Sequence, residues 1–434
     1  MFTKPLSELT YDDIEYLIIE KKEQESYYLD YKVNVENNDT SKEEIAKDVS
    51  AFANAGGGHL IYGIKDESLD IVGIHAKIGN QDFVSWFNNV VKSNVDPKIF
   101  YPDPVAITIP NSDKIIVVVY IPESSRKPHM HSKRNVYYIR ENKSSEKAKH
   151  QQVRDMFEFA RNRQNEFDNF LAKRNLLDEN SIDFGKNYNS KMLYSQVTEH
   201  FKELPKPILL LSLVPKSPLE DKFSMDIHEF RVWLESATNK SNILQNYNFY
   251  SIYSAYENSM INGVTYYCPS SDSKKINETR SYLEIQENGF IEIGNSILGF
   301  YAAEIHHKTK PTAHLSNILM AEILLLEFAK KFYEHIEYYD EVMIQISLVN
   351  VLDYVLVGFH KHFGERYYYR EVVTNKYYPN IKISHIFNPS KLEENDIMEL
   401  VKQSSLKLCR AFGIAEDKGV VDNKISYFGT SSVY

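Results

Sequence analysis

Cysteine is nearly missing from this chain of 434 residues: Cys268 and Cys409 are the whole supply, too few for a disulfide framework or a thiolate zinc site. A reducing compartment is the simplest setting, with both thiols buried. Long uncharged apolar runs are missing as well. The longest helical apolar stretch, "AHLSNILMAEILLLEFAKKFYEHI", is broken by Glu322, Glu327, Lys330 and Lys331, whereas a membrane span needs about 20 mostly uncharged residues. The opening "MFTKPLSELTYDDIEYLI" has no basic segment followed by an apolar one, so no secretory signal is read and a cytoplasmic location is expected. Nor is there an excess of positive charge. The formal net charge of -10 argues against a generalised nucleic-acid coat, while leaving room for a local basic face. No internal repeat of the glycine motif and no long low-complexity segment is found.

What is present is an ordinary globular balance, 43% hydrophobic and 25% charged, on a chain long enough for two domains with separate cores. The expected fold class is α+β in both. A first, mixed-sheet domain is placed at 1–165, a linker rich in Asn, Asp and Lys at 166–190, and a second α+β domain at 191–434. From residue 7, "SELTYDDIEYLIIEKKEQ" has the spacing of a helix. "YYLDYKVNV" alternates as a strand with Asp30 and Lys32 on one side. "DTSKEEIAKDVSAFANAGGG" reads as a helix with a capping box at Ser41 and Glu44, a buried stripe of Ile45, Val49 and Phe52, and Gly56 as a left-handed C-cap. The glycines turn the chain into the strand "HLIYGIKD". Strands follow at "IVGI", "VAITIP", "KIIVVVYIP" and "RNVYYIREN", and a helix at "KHQQVRDMFEFARNRQNEF". In the second domain "KPILLLSLVP", "YLEIQENGFIEIG" and "EVMIQISLVNVLDYVLVGFH" read as strands, with a long helix from about Ser316 to Glu337.

Four residues carry candidate chemistry: Glu25, Asp30, Lys32 and Asp66. Neighbouring strands lie about 4.8 Å apart, so pairing of the two strands would bring Asp66 near Asp30 and Lys32. Three carboxylates offer hard oxygen ligands suited to Mg²⁺ or Mn²⁺. Such an ion would activate water and offset charge on a phosphodiester, with Lys32 assisting. The plainer alternative is a solvated edge strand whose charges discourage aggregation.

A second line is a basic segment. Nine Lys or Arg (Arg126, Lys127, Lys133, Arg134, Arg140, Lys143, Lys147, Lys149, Arg154) stand against Glu141 and Glu146. It is a candidate phosphate-binding face, with His129, His131, Tyr137 and Tyr138 available to sugars or bases; a solvated loop is the alternative. "HMH" lacks a third ligand for a metal. Gly56, Gly57 and Gly58 end a helix and precede a strand, the reverse of a phosphate loop, and a plain turn is the expected role. Further on, "GERYYYREVV" is read as an aromatic strand or a stacking surface, and "FYEHIEYYDE" as a solvated helix face.

In this order, "ESYYLDYK", "VSAFANAGGGHLIYGIKDESLDIVGI", "IPESSRKPHM" and "VYYIRENKSS" resemble the Schlafen domain, the Alba-related module, over about residues 10 to 160. The resemblance implies a metal-dependent endoribonuclease acting on structured RNA such as tRNA, in a setting of antiviral defence. It puts the metal-binding acids on Glu25, Asp30 and Asp66 and the assisting lysine on Lys32. It also implies a homodimer, since this chain has one such module where mammalian relatives pair two. Where the family usually has glutamate, this chain has Asp30, with a carboxylate set back by about 1.5 Å. A non-catalytic nucleic-acid-binding regulator, or an ATP-binding sensor in defence, is the alternative.

Overall fold

The computed structural model describes residues 2, 4–174, 176, 193–218, 220–224, 227–239, 256–260, 263–269, 279–305, 307–357 and 374–414. The chain divides into two units, Met1–Asn165 with Glu337–Asp340, and Glu166–Ile336 with Glu341–Tyr434. Both mix helices and sheets, an α+β architecture. No helix among the described residues is long and apolar enough to cross a membrane.

The first unit opens with α1 (Tyr11–Glu15), which passes into a π turn at Tyr16–Glu20 instead of running on as one helix. Then come β1 (Leu29–Lys32), α2 (Asp39–Asn54), β2 (Gly58–Tyr62), β3 (Ile74–His75), a small hairpin of β4 (Lys77–Ile78) and β5 (Gln81–Asp82), and α3 (Phe83–Asn94). β6 (Val95–Asp96), β7 (Val105–Thr108), β8 (Lys114–Ile121), β9 (Met130–His131), β10 (Val136–Glu141), β11 (Ser144–Lys147) and α4 (His150–Lys173) follow. One sheet runs β1-β2-β8-β3 with β7 also on β8, and a second runs β11-β10-β9-β6. β1 joins β2 in parallel and β2 joins β8 antiparallel, so the first sheet is mixed and β1 is its edge.

Strand alternation sorts that sheet's side chains into two cores. Leu60, Tyr62, Val117 and Val119 pack with Ile45, Val49 and Phe52 of α2. Leu29, Tyr31, Ile61, Ile116 and Val118 pack with Ile14, Leu17 and Ile18. α3, at a place where the sequence reading names no element, adds Phe83, Trp86, Phe87, Val90 and Val91 to the first core. Its spacing is helical, and Asp82 caps it by accepting from the Ser85 N–H at 2.8 Å.

Two caps differ from expectation. α2 begins three residues before Ser41 would start it: Asn38 is the N-cap, its Oδ1 accepting from the Ser41 N–H at 2.8 Å. Gly57, not Gly56, takes the left-handed conformation, at φ +74°. Its N–H donates to the Phe52 carbonyl at 3.0 Å. A Cβ there would lie 2.7 Å from both the Ile121 carbonyl oxygen and the Glu123 nitrogen. Gly57→Ala is therefore expected to lower unfolding free energy by more than about 1 kcal/mol, read from denaturant midpoints.

Residues 166–173, expected to open a linker, are instead the last two turns of α4. Phe167, Phe170 and Leu171 sit at helical spacing and bury against Val214, Phe290 and Met343. In the second unit β12 (Ile208–Pro215), β13 (Tyr256–Met260), β14 (Gly263–Pro269), β15 (Thr279–Gln286), β16 (Ile291–Asn295), β19 (Val342–Val349) and β21 (Asn380–Phe387) form an antiparallel sheet ordered β13-β14-β15-β16-β12-β19-β21. β17 (Phe300–Ile305), β18 (Lys308–His314) and β20 (Val355–Val357) form a smaller one. Its helices are α5 (Gln196–His200), α6 (Ile227–Asn239), α7 (Leu315–His335) and α8 (Glu394–Ala411). The tyrosine-rich stretch at 364–373 lies outside the described residues.

Two polar clusters sit inside this unit. Arg174 reaches Glu284 at 2.9 Å and Glu292 at 3.2 Å, and Glu292 also accepts from the Tyr282 hydroxyl at 2.8 Å. Glu322, fully buried on α7, accepts from the Ser404 hydroxyl at 2.7 Å, and His385 Nε2 lies 2.9 Å from the same hydroxyl.

Candidate nucleic-acid-processing site

β1 carries the central residues because its alternation sends Asp30 and Lys32 to one side. That side is not a solvated edge face. It is the face covered by α2 and β10, and Asp30 is 6% exposed. Burying a carboxylate requires partners, and Asp30 has two cations: Arg140 Nη1 at 2.9 Å and Lys32 Nζ at 3.3 Å. Lys32 reaches on to Asp48 Oδ2 at 2.8 Å, Asp48 Oδ1 accepts from the Ser145 hydroxyl at 2.8 Å, and Ser145 Oγ lies 3.3 Å from Arg140 Nη1. The contacts close into a ring of five side chains from β1, α2, β10 and β11 with two charges of each sign. Arg140 also donates to the Ser26 carbonyl at 3.0 Å and lies 4.4 Å from the centre of the Phe52 ring. Burial works against the Lys32 ammonium, but the Asp48 and Asp30 carboxylates outweigh it and hold its pKa above the usual lysine range.

Glu25 stands just outside the ring. Its Oε1 accepts from the Tyr31 N–H at 2.8 Å, on the side of β1 with no neighbouring strand. Burial pushes its pKa up to about 7, aided by a hydrogen bond with the Asp30 carboxyl and by the charges of Asp30 and Asp66, against the lowering effect of the Tyr31 N–H. Asp66 lies four residues beyond β2 and reaches the group through its charge. Three carboxyls thus influence one another, while no three His, Cys, Asp or Glu among the described residues are grouped as metal ligands.

The expected phosphate-binding residues divide sharply. Arg126 is exposed, over the Phe100 ring at 5.3 Å. Lys143 is exposed, and Lys133 is exposed 3.8 Å from Asp39. Arg134 is committed to Glu43 at 2.9 Å and Glu44 at 3.5 Å. Lys127, His129 and Arg140 are inside the domain and present no surface to a phosphate backbone. Lys127 is ion-paired with Glu123 and lies 3.9 Å from the centre of the Phe159 ring. His129 is fully buried between the Pro97 carbonyl and the Ser124 hydroxyl, each at 2.7 Å, and burial lowers its pKa to about 4. Lys147, Lys149 and Arg154 of the same segment are exposed as well, Arg154 lying 3.0 Å from Glu158.

Asp48 is the site residue that the sequence reading passed over. Its signal was available: position 48 falls three after Ile45 and four before Phe52, inside the apolar stripe, where an acid needs a partner.

Residues 25–149 match the profile of the family described as Schlafen, AlbA_2. The match lies wholly within the first unit, which is similar to a Schlafen/AlbA_2 domain over those residues. Such a domain supports a nucleic-acid-related role in the broad sense. No curated protein matches the chain. Among solved structures, the DIP2311 protein from Corynebacterium diphtheriae is similar at 19% identity and a TM-score of 0.24. The match covers 31% of this chain and 24% of that one, so it spans about a quarter of that protein's length.

Proposed function

We propose that the first unit is a metal-dependent endoribonuclease that cleaves structured RNA such as tRNA, with Glu25, Asp30 and Asp66 as its acids. The observation that carries this reading is the placement of Glu25, its Oε1 held by the Tyr31 N–H at 2.8 Å beside the buried Asp30, where burial and the neighbouring carboxyls raise its proton affinity. Structural carboxylates gain from pairing with cations, and one whose proton affinity is raised by burial and by other acids is a candidate for function. The donor chemistry fits a hard cation. Glu25 and Asp66, with Asp30, would hold Mg²⁺ or Mn²⁺, which would supply charge stabilisation to the phosphodiester when bound. Lys32 and Arg140 hold the Asp30 carboxylate, and the outward lysines and arginines orient the RNA backbone. A homodimer in antiviral defence belongs to the same reading.

Purified protein with Mn²⁺ and total tRNA is expected to give discrete fragments that Asp66→Ala and Glu25→Gln abolish. Lowering the pH should weaken Mn²⁺ binding, because protons compete with the ion for Glu25. RNA left intact under every metal condition would sink this reading.

The commitment of Asp30 to Arg140 and Lys32 favours a second reading, a nucleic-acid-binding regulator without catalysis. In that case the ring is a structural clamp, and the protein binds RNA or DNA with salt-sensitive affinity and leaves it whole.

A further inference from the structure

On the opposite face of the sheet from the buried ring, a cleft of about 420 Å³ opens between the 21–29 segment, the glycine turn and β8. Lys21, Ser26, Tyr28, Gly56, His59 and Tyr120 line it. The volume lies within the range of small-ligand sites, about 300–1,000 Å³. Its chemistry is specific. Tyr28 is 57% exposed although it is held from behind: the Tyr27 ring meets it edge-on at 4.8 Å. Gly56 leaves room for both rings, since a Cβ there would stand 3.1 Å from Tyr28 and 3.2 Å from Tyr27. The outer face of Tyr28 is therefore a fixed aromatic platform open to solvent.

Across the cleft, His59 lies 4.7 Å from the Tyr120 ring. Burial lowers its pKa to about 4, so the imidazole is neutral at physiological pH, one nitrogen a donor and the other an acceptor. The Phe2 ring meets the imidazole edge-on at 5.5 Å. Lys21 supplies a cation at the rim, and Glu23 makes the adjoining rim repulsive to phosphate. A flat stacking surface, a neutral group that both donates and accepts along an edge, and one cation match the three parts of a nucleotide: ring face, base edge and phosphate. A base stacked within a duplex exposes neither face, which leaves an unpaired one.

We infer that this cleft takes a single unpaired nucleotide, its base stacked on Tyr28, its edge against His59 and its phosphate toward Lys21. The inference deepens the nucleic-acid reading and rests on it, but not on cleavage. Glu25 and Ser26 are consecutive, so a nucleotide seated in the cleft is handled by the segment that carries the candidate acid.

The test uses the full chain in EDTA, so that binding is read without cleavage, with a fluorescein-labelled single-stranded oligoribonucleotide of about eight nucleotides and its duplex. Stacking energies predict that Tyr28→Ala weakens single-strand binding roughly tenfold, with Lys21→Gln weakening it by a smaller factor. Duplex binding should change less than about twofold. Both side chains are exposed, so the variants keep the fold. Competition by adenosine monophosphate would assign the cleft to free nucleotides, and lack of competition to the polymer; both outcomes uphold the ligand class. Wild-type affinity in both variants, equal loss on single strand and duplex, or no binding of either RNA or mononucleotide would overturn it. Absence of cleavage alongside Tyr28-dependent binding would overturn the nuclease reading and leave the cleft standing.

Discussion

Arg140→Ala is expected to destabilise the first unit by about 3–5 kcal/mol, because it strips a buried carboxylate of its main partner. The one cation left to Asp30 would be Lys32, which Asp48 already claims at the shorter distance, 2.8 Å against 3.3 Å. The Ser26 carbonyl and the Phe52 face would lose their contacts too. For a unit of this size the loss amounts to a fall in melting temperature of roughly 10 °C, measurable by calorimetry. Lysine should not rescue it, since one ammonium cannot reach both Asp30 and the Ser26 carbonyl as the guanidinium fork does. Arg140→Lys separates this account from a surface role. If Arg140 met phosphate, lysine would largely preserve binding and the fold would be untouched. The slope of log affinity against log salt should be unchanged by Arg140 substitution wherever the protein stays folded, and reduced by about one when exposed Lys143 is replaced by alanine.

The second large effect lies in the other unit, at Glu322. Burial raises its pKa from 4.5 to about 8, offset in part by the Ser404 hydroxyl and by Lys407. His385, pushed down to about 4 by burial, is neutral beside it and supplies no compensating charge. The folded unit therefore holds a proton that the unfolded chain releases. Through Glu322 the native state binds one more proton than the unfolded one between pH 4.5 and 8, which lowers stability as pH rises, while His385, neutral when folded and protonated when unfolded, acts in the opposite sense below about pH 6.5. At about 1.4 kcal/mol per pH unit the Glu322 contribution to the loss is about 5 kcal/mol, complete above pH 8.

Glu322→Gln removes that dependence. The amide still accepts from Ser404, but its NH₂ takes the place of Oε2, which has no hydrogen-bond partner. The variant should be about 1–3 kcal/mol less stable than wild type at pH 5 and more stable at pH 9. Hydrogen exchange of α7 and α8 across that range reads the crossing locally. Parallel curves for the two proteins would contradict a buried, protonated Glu322.

Local patterns carried much of this fold. β1 was visible in the alternation of Leu29 and Tyr31 against Asp30 and Lys32, α2 in Ile45, Val49 and Phe52, and β12 in the unbroken apolar run that a strand buried on both faces requires. What local pattern could not say was that β1 is covered on both sides. Polar residues normally mark the wet face, but Asp30 and Lys32 point inward because Arg140 and Asp48, distant in sequence, meet them there. The same long-range pairing hid the division of the basic segment. Arg140 and Lys143 look alike along the chain, yet β10 turns one into the core and the hairpin to β11 leaves the other in water. The helix α3 is a different case, since its spacing was in plain view. The end of α4 shows how composition misleads: Asn, Asp and Lys line its outer side, while Phe167, Phe170 and Leu171 hold the inner one.

The hydrogen bond from the Tyr31 N–H to Glu25 bears on how the border of this sheet is protected. β1 is the last strand of its sheet, and an unpaired N–H on such a strand invites a strand from another chain. Glu25 occupies that donor and adds negative charge beside it, acting as a gatekeeper against strand-to-strand association. Removing the side chain with alanine would open the border as well as delete the acid, so that clumping of the protein would masquerade as lost activity. Glutamine keeps an acceptor for Tyr31 and guards the border while changing the chemistry.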